Sequence, residues 1–429
     1  MSAWGPMAAA AGSAGSAGSA GSAGSAGSAG SAGSAVPIVG LDGGQGFPGY
    51  SGLWPNPMLA NSLVLVRDLL TSGSVQIAQA TPSSLPGIPK SLPKNGDTYN
   101  QQAIRRLQPN VRAALAEMEL LQQLKFNLDA TGTETVRRKA SMSLHITKSA
   151  AQATATDRAT VTQEVWPLVA LQAPFVEEFV DQLKTVFDFA DLRAERSGEI
   201  LSQVVPQTAY WSAIAGLTPE RHRHTLELLG IGLRFAMMVV MRFKLMLNCP
   251  RPGEYTPLVQ PMVLTPGYSA YPSGHATEAY FAAELLGTLF ETANPDTAKR
   301  GTEPSSLRGQ LKRLAYRVAE NRVVAGLHFQ VDSLAGQLLG GALARYFLWA
   351  CTGEVADATH KQLLCSGANF PHGLPSVELA MGKNLQPRLD TEEGTYIQPG
   401  TTDTELLAIG RPVLRMLWAE SYLECKNAS

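Results

Sequence analysis

Three short polar clusters stand inside an otherwise apolar, helix-forming stretch. They are Lys244 with Arg251-Pro252, then Pro272-Ser273-Gly274-His275, then Arg322 with His328 and Asp332. Lys244, Arg251 and Arg322 are cations set near the ends of apolar segments, where an unpaired charge is costly to bury. The nearby acids are few: Glu254, Glu278, Glu284, Glu320 and Asp332. A shared multiply charged anion would answer all three cations at once, and arginine suits oxyanions because its paired N–H donors match their geometry.

The second cluster adds a different kind of donor. Proline before and glycine within mark a tight turn, and the residues after His275 form helix readily. Such a turn presents the backbone N–H groups of Ser273 to His275 at a helix N-terminus, which favours an anion. The Ser273 hydroxyl adds a donor, and Gly274 allows close backbone approach. A Ser273–His275 nucleophile–base pair is the weaker reading, because no G-x-S-x-G context surrounds it. In the third cluster, a helix running on into His328 would put Asp332 one turn away. The carboxylate would then accept from one imidazole nitrogen and leave the other as nucleophile or metal ligand. The three clusters together point to one tetrahedral oxyanion, phosphate or vanadate.

Order and spacing strengthen that reading. The pattern K-x6-RP, PSGH, then R-x5-H-x3-D resembles the signature of the type-2 phosphatidic acid phosphatase and vanadium-dependent haloperoxidase superfamily. Asn321 departs from it, standing where serine usually precedes the arginine. The resemblance implies that Lys244, Arg251 and Arg322, with the Ser273 hydroxyl and the Gly274 N–H, bind the anion's oxygens. It implies that His328 bonds the central atom, as the metal ligand where that atom is vanadium, and that His275 is the acid–base group.

Two chemistries share such a site. In a haloperoxidase the cofactor is vanadate, and hydrogen peroxide oxidises a halide to an electrophilic species that attacks a small organic acceptor; Lys244 would polarise the bound peroxide. In a soluble acid phosphatase His328 would form a phosphohistidine. Ala276-Thr277 after His275, and the helical stretch before Lys244, resemble the haloperoxidase branch. Tyr268 resembles the aromatic residue of chlorinating relatives more than the histidine of brominating ones. The expected catalytic residues are therefore His275, His328, Lys244 and Asp332.

The elements that must position these residues read as helices. Apolar spacing predicts helices over Asn56–Thr71, Asn110–Leu128, Phe175–Leu201, Ala276–Thr292, Ser306–Ala325, Asp332–Cys351 and Thr404–Cys425. A further helix is expected from Pro219, capped by Thr218, to Leu247 with a break near Gly230 and Gly232. Strand patterns are scarce, so the expected class is all-α, paired helical bundles with the oxyanion site in the second. Small residues along 335–344 suggest close helix packing. His222 and His224 read as a solvated basic turn, and His145, His360 and His372 as structural or exposed.

Residues 12–35 are eight Gly-Ser-Ala triplets, unable to bury a core and expected to be flexible. The expected organisation is a flexible segment over 1–40 and a helical domain over 41–429. Within it, 41–227 forms a first bundle and wrapping segment, 228–352 the catalytic core and 353–429 a C-terminal extension. Among 429 residues the net charge is −1, which gives no electrostatic case for nucleic acid or an acidic membrane surface. Four cysteines lack zinc-like spacing. The most apolar helix, Leu228 to Leu247, is interrupted by Arg234, Arg242 and Lys244, so no membrane span is expected. No signal peptide is visible, and a soluble, cytoplasmic homo-oligomer is the expectation.

Overall fold

In a computed structural model of the chain, the described residues are 101–131, 139–151, 161–204, 207–298, 306–352, 363–366, 397–399 and 411–427. The helix expected over Asn56–Thr71, together with His360 and His372, lies outside them. Most of the described residues are helical, as expected. The N-terminal part holds α1 (Gln101–Arg106), α2 (Pro109–Leu121), α3 (Val176–Ala190), α4 (Arg193–Ser202) and α5 (Thr208–Ala215). The later part holds α6 (Arg223–Leu247), α7 (Pro252–Tyr255), α8 (Gly274–Ala293), α9 (Pro295–Ala298), α10 (Leu307–Val324), α11 (Gln330–Thr352) and α12 (Pro412–Asn427).

The helix α8 is the axis of the bundle. Every residue from Gly274 to Ala283 is buried, and α6, α10, α11 and α12 pack around it. Over 274–283 the helix presents no face to solvent, and the alanines of 276–283 let its neighbours come close. The small-residue face of α11 makes the closest approach. A Cβ at Gly336 would stand 2.6 Å from the Ser273 carbonyl oxygen, and one at Gly340 2.3 Å from that of Thr277. These glycines therefore press α11 against the first turn of α8, where the second polar cluster lies.

Several expectations change. The run Asn110–Leu128 stops as a helix at Leu121, and Leu124–Thr131 forms strand β1. It joins β2 (Lys139–Ala151), β3 (Val161–Gln172), β4 (Leu363–Ser366) and β5 (Ile397–Pro399) in one sheet of order β1-β2-β3-β4-β5. The pairings are antiparallel except β3 with β4. Met142, Leu144 and Ile146 are buried on alternate positions of β2, a period-two pattern with Ser143 and His145 between them. The Phe175–Leu201 helix is two, interrupted at Asp191-Leu192. The helix expected from Pro219 begins at Arg223 and runs unbroken past Gly230 and Gly232. Gly232 makes room for the Phe281 ring, so its role is packing.

His222 is buried, its Nδ1 accepting from the Thr218 N–H at 3.2 Å, and His224 Nδ1 pairs with Glu424 at 2.7 Å. Neither belongs to a solvated turn. Among the described residues no helix is long and apolar enough to cross a membrane. Cys249, Cys351 and Cys425 are buried free thiols.

Candidate active site

The three clusters converge at one buried place beside the first turns of α8 and α11. Lys244, Arg251, Ser273, His275, Arg322, His328 and Asp332 are all buried. Lys244 sits in the last turn of α6, and its Nζ donates to the carbonyls of Ser269 and Ala270, each at 2.8 Å. Arg251 precedes α7. Its Nε donates to the Tyr268 carbonyl at 2.8 Å and its Nη1 to that of Leu327 at 3.0 Å. The Tyr268 ring lies under both cations, 5.3 Å from the Arg251 guanidinium carbon and 5.5 Å from Lys244 Nζ.

Ser273 caps α8, its Oγ accepting from the Ala276 N–H. The N–H groups of Gly274 and His275 lie in the helix's first turn, where no intrahelical carbonyl can reach them. The Ser273 N–H donates to the Asp332 carbonyl at 2.8 Å, which ties the second cluster to the third.

His328 does not continue the preceding helix. The helix α10 ends at Val324, and Gly326 takes φ +76°. The N–H groups of Gly326 and Leu327 return to the carbonyls of Val323 and Arg322, a paired bonding that closes a helix end. A side chain at a positive φ is strained, so glycine suits this reversal. His328 thus stands in a short loop, and Asp332 lies in the first turn of α11. One oxygen, Oδ2, accepts from His328 Nδ1 at 3.0 Å and from the Phe329 N–H at 2.9 Å. The His328–Asp332 partnership expected from spacing is present, but Asp332 caps the following helix rather than extending the earlier one. Phe329 is held against Phe179 and Tyr255, with ring centroids 4.9 and 5.7 Å away, so α3 and α7 brace the loop.

With Nδ1 on a carboxylate, His328 presents Nε2, which lies 3.5 Å from Arg251 Nη1. His275 is turned the other way. Its Nε2 meets the Gln203 carbonyl at 3.1 Å, and only a donor can bond a carbonyl. Its Nδ1 is therefore the lone-pair atom, buried with no hydrogen-bond partner among the described residues. Arg322 Nη2 donates to the Ile200 carbonyl at 3.0 Å and to Gln203 Oε1 at 3.1 Å. Its Nε and Nη1 have no hydrogen-bond partner there.

The electrostatics follow from crowding cations away from water. Burial, then Arg251, holds Lys244 well below the usual lysine range. Burial holds His328 well below 6.5, aided by Arg251 and Lys244, and His275 likewise, aided by Arg322. Burial brings Arg322 down to about 10. Asp332 is pushed up to about 7 by burial, against the Phe329 N–H, Lys244 and Arg251. Among the described residues, Arg322 Nε and Nη1 remain buried donors without a hydrogen-bond partner.

Residues 226–355 match the PAP2 superfamily. That superfamily includes both phosphatases and haloperoxidases. The match spans α6 to α11, so all three clusters lie within it, whereas α4 lies before it. No curated protein matches the chain.

The end of α4 is the part of the candidate site that the motifs did not indicate. Ile200 and Gln203 offer carbonyls that a helix C-terminus leaves without internal partners, and its negative dipole end suits Arg322 and His275. Asn321 belongs to the same wall. Its Nδ2 donates to Glu199 Oε2 at 3.1 Å and to Gln203 Oε1 at 3.0 Å. The residue that departs from the signature is thus the link between α10 and α4. These contacts cross more than a hundred residues of chain, and no local spacing announces them.

Proposed function

We propose that this PAP2-superfamily protein is a vanadium-dependent haloperoxidase, using hydrogen peroxide to oxidise a halide. The observation that carries the anion is Arg322, buried with two donor nitrogens that no acceptor among the described residues answers. An oxyanion fits that donor set, since the unpartnered N–H groups of Arg322, the Ser273 hydroxyl and the first-turn N–H groups of α8 all donate. Vanadate would be held by Lys244, Arg251, Ser273, Gly274 and Arg322, with His328 Nε2 as its nitrogen donor. Bound vanadate supplies a Lewis acid that activates peroxide toward halide without changing its own oxidation state.

The chain's own residues do the rest. Asp332 fixes the His328 tautomer and keeps Nε2 unprotonated. The cations are preorganised by backbone carbonyls, so little rearrangement accompanies binding. His275, held neutral with Nδ1 open, accepts a proton from the incoming peroxide. Ala276-Thr277 after His275, and the helices that precede α6, support the haloperoxidase over its relative.

The second reading is a soluble acid phosphatase acting through a phosphohistidine at His328. The oriented Nε2 lone pair favours it, because the same atom could attack phosphorus. Titrating metal-free protein with vanadate separates the two. One assay follows dye halogenation by peroxide with chloride, bromide or iodide; the other follows p-nitrophenyl phosphate hydrolysis. Halogenation switched on while hydrolysis is suppressed supports the haloperoxidase. Inhibition of hydrolysis with no halide oxidised means a phosphatase. In either case His328→Ala should lose all turnover, and an active His328→Ala protein would sink both readings.

A further inference from the structure

The wall that the signature does not supply, the end of α4, carries one more donor group. Gln203 is fully buried, and it touches two site residues through different atoms. Its backbone carbonyl meets His275 Nε2, and its side-chain Oε1 meets Arg322 Nη2 and Asn321 Nδ2. The orientation of this amide is fixed by chemistry. Arg322 has only donors, so the Gln203 atom facing it must be the oxygen. At the other end, Asn321 bonds the Glu199 carboxylate, which only accepts, so Asn321 presents its own N–H groups. A permanent donor and a permanent acceptor thus bracket the chain of amides, and neither amide can flip without losing a bond.

The consequence lies at the remaining atom. Gln203 Nε2 must carry two N–H donors, and it is buried with no hydrogen-bond partner among the described residues. A buried amide donor left unmade is costly. The residue that bears it is the same one bonded to Arg322 and His275, whose own atoms Nε, Nη1 and Nδ1 likewise have no hydrogen-bond partner among the described residues. We propose that Gln203 is an anion-binding residue of this site, its Nε2 donating to the bound oxyanion beside Arg322. The donor belongs to a helix outside the matched residues 226–355, so this site draws one ligand from the bracing part of the chain. Asn321 then serves as the group that holds the Gln203 amide in its donating orientation.

The inference rests on the oxyanion reading, and the test separates their failures. Inorganic phosphate is titrated calorimetrically into the full chain, its Gln203→Met and its Gln203→Glu variants. Gln203→Met removes both amide atoms at similar length. Gln203→Glu keeps an oxygen for Arg322 and Asn321 and replaces only the donor. Donation predicts about ten- to a hundredfold weaker phosphate binding in Gln203→Met and a larger loss in Gln203→Glu. A role limited to positioning Arg322 predicts the reverse order, with Gln203→Glu close to the parent protein.

A second readout needs no variant to fold well. In protein labelled with nitrogen-15 at glutamine, the Gln203 side-chain amide protons should move downfield when phosphate is added. Unmoved amide protons, or a Gln203→Met protein that binds phosphate as the parent does, would overturn the proposal while leaving the oxyanion site intact. A parent protein that binds neither phosphate nor vanadate would instead refute the site reading itself.

Discussion

Two buried arginines in this molecule meet opposite fates. Arg112, on α2, is gripped by Glu227 of α6: Nε donates to Oε1 at 2.7 Å and Nη2 to Oε2 at 2.6 Å. Its Nη1 goes to the Leu107 carbonyl at 2.5 Å. Arg322, equally buried on α10, donates to a carbonyl and an amide oxygen, and among the described residues two of its nitrogens have no hydrogen-bond partner. The first arginine is answered within the protein and clamps one helix to another. The second is held in place by neutral dipoles that aim it without neutralising it. Burial alone therefore does not mark a functional cation.

The largest effect should come from breaking the answered pair. Arg112→Met leaves Glu227 charged and buried, which should cost about 3–5 kcal/mol of stability. Denaturant melts would read it, and phosphate affinity of the folded fraction should stay unchanged. Arg322→Met should do the opposite. Removing an uncompensated cation should leave the ligand-free protein as stable or more so, while phosphate binding weakens by about 1.5–3 kcal/mol, the scale of a hydrogen bond to a charged group. Equal stability losses in the two variants would erase the distinction. Gly336→Ala probes the contact between α11 and the first turn of α8. A Cβ 2.6 Å from the Ser273 carbonyl forces α11 away from the first turn of α8, for about 1–3 kcal/mol of overpacking. It should also weaken phosphate binding, because Ser273 moves with that turn; unchanged affinity would detach the glycine from the site.

How far the sequence foretells this depends on how local each signal is. The three clusters are legible because each is a few residues long and keeps its own turn. The expected helix Ser306–Ala325 agrees with α10, and Gly326 after it is a stop signal that leaves His328 in a loop. The sheet was missed because the helical spacing of α2 was carried through Leu124 and Phe126. The alternation at Met142, Leu144 and Ile146 was the available sign. Arg112–Glu227 and Gln203–Arg322 had no sign at all, since each joins positions 115 and 119 residues apart. Pairings of that range are fixed by packing, which a local pattern does not encode.

The smallest expected effect tests the charge imbalance that sets Arg322 apart from Arg112. His275 and His328 are held below the ordinary 6.5 by burial and adjacent cations. In the window just below 6.5 the unfolded chain takes up protons on these imidazoles that the folded protein refuses. Their contribution to stability is thus present above 6.5 and lost as pH falls. Asp332 opposes them. Pushed up to about 7, it keeps a proton in the folded state between 3.8 and 7 that the unfolded carboxyl has released, so its contribution declines as pH rises. Comparing the parent protein with His275→Gln cancels the distant groups and isolates His275 with its effect on His328. Below pH 6.5 the parent should lose stability more steeply than the variant, by up to about 1.4 kcal/mol per pH unit, the value of one proton. Saturating phosphate should shrink that difference, because an anion facing the imidazole favours its charged form. If phosphate leaves the difference untouched, His275 does not face the anion.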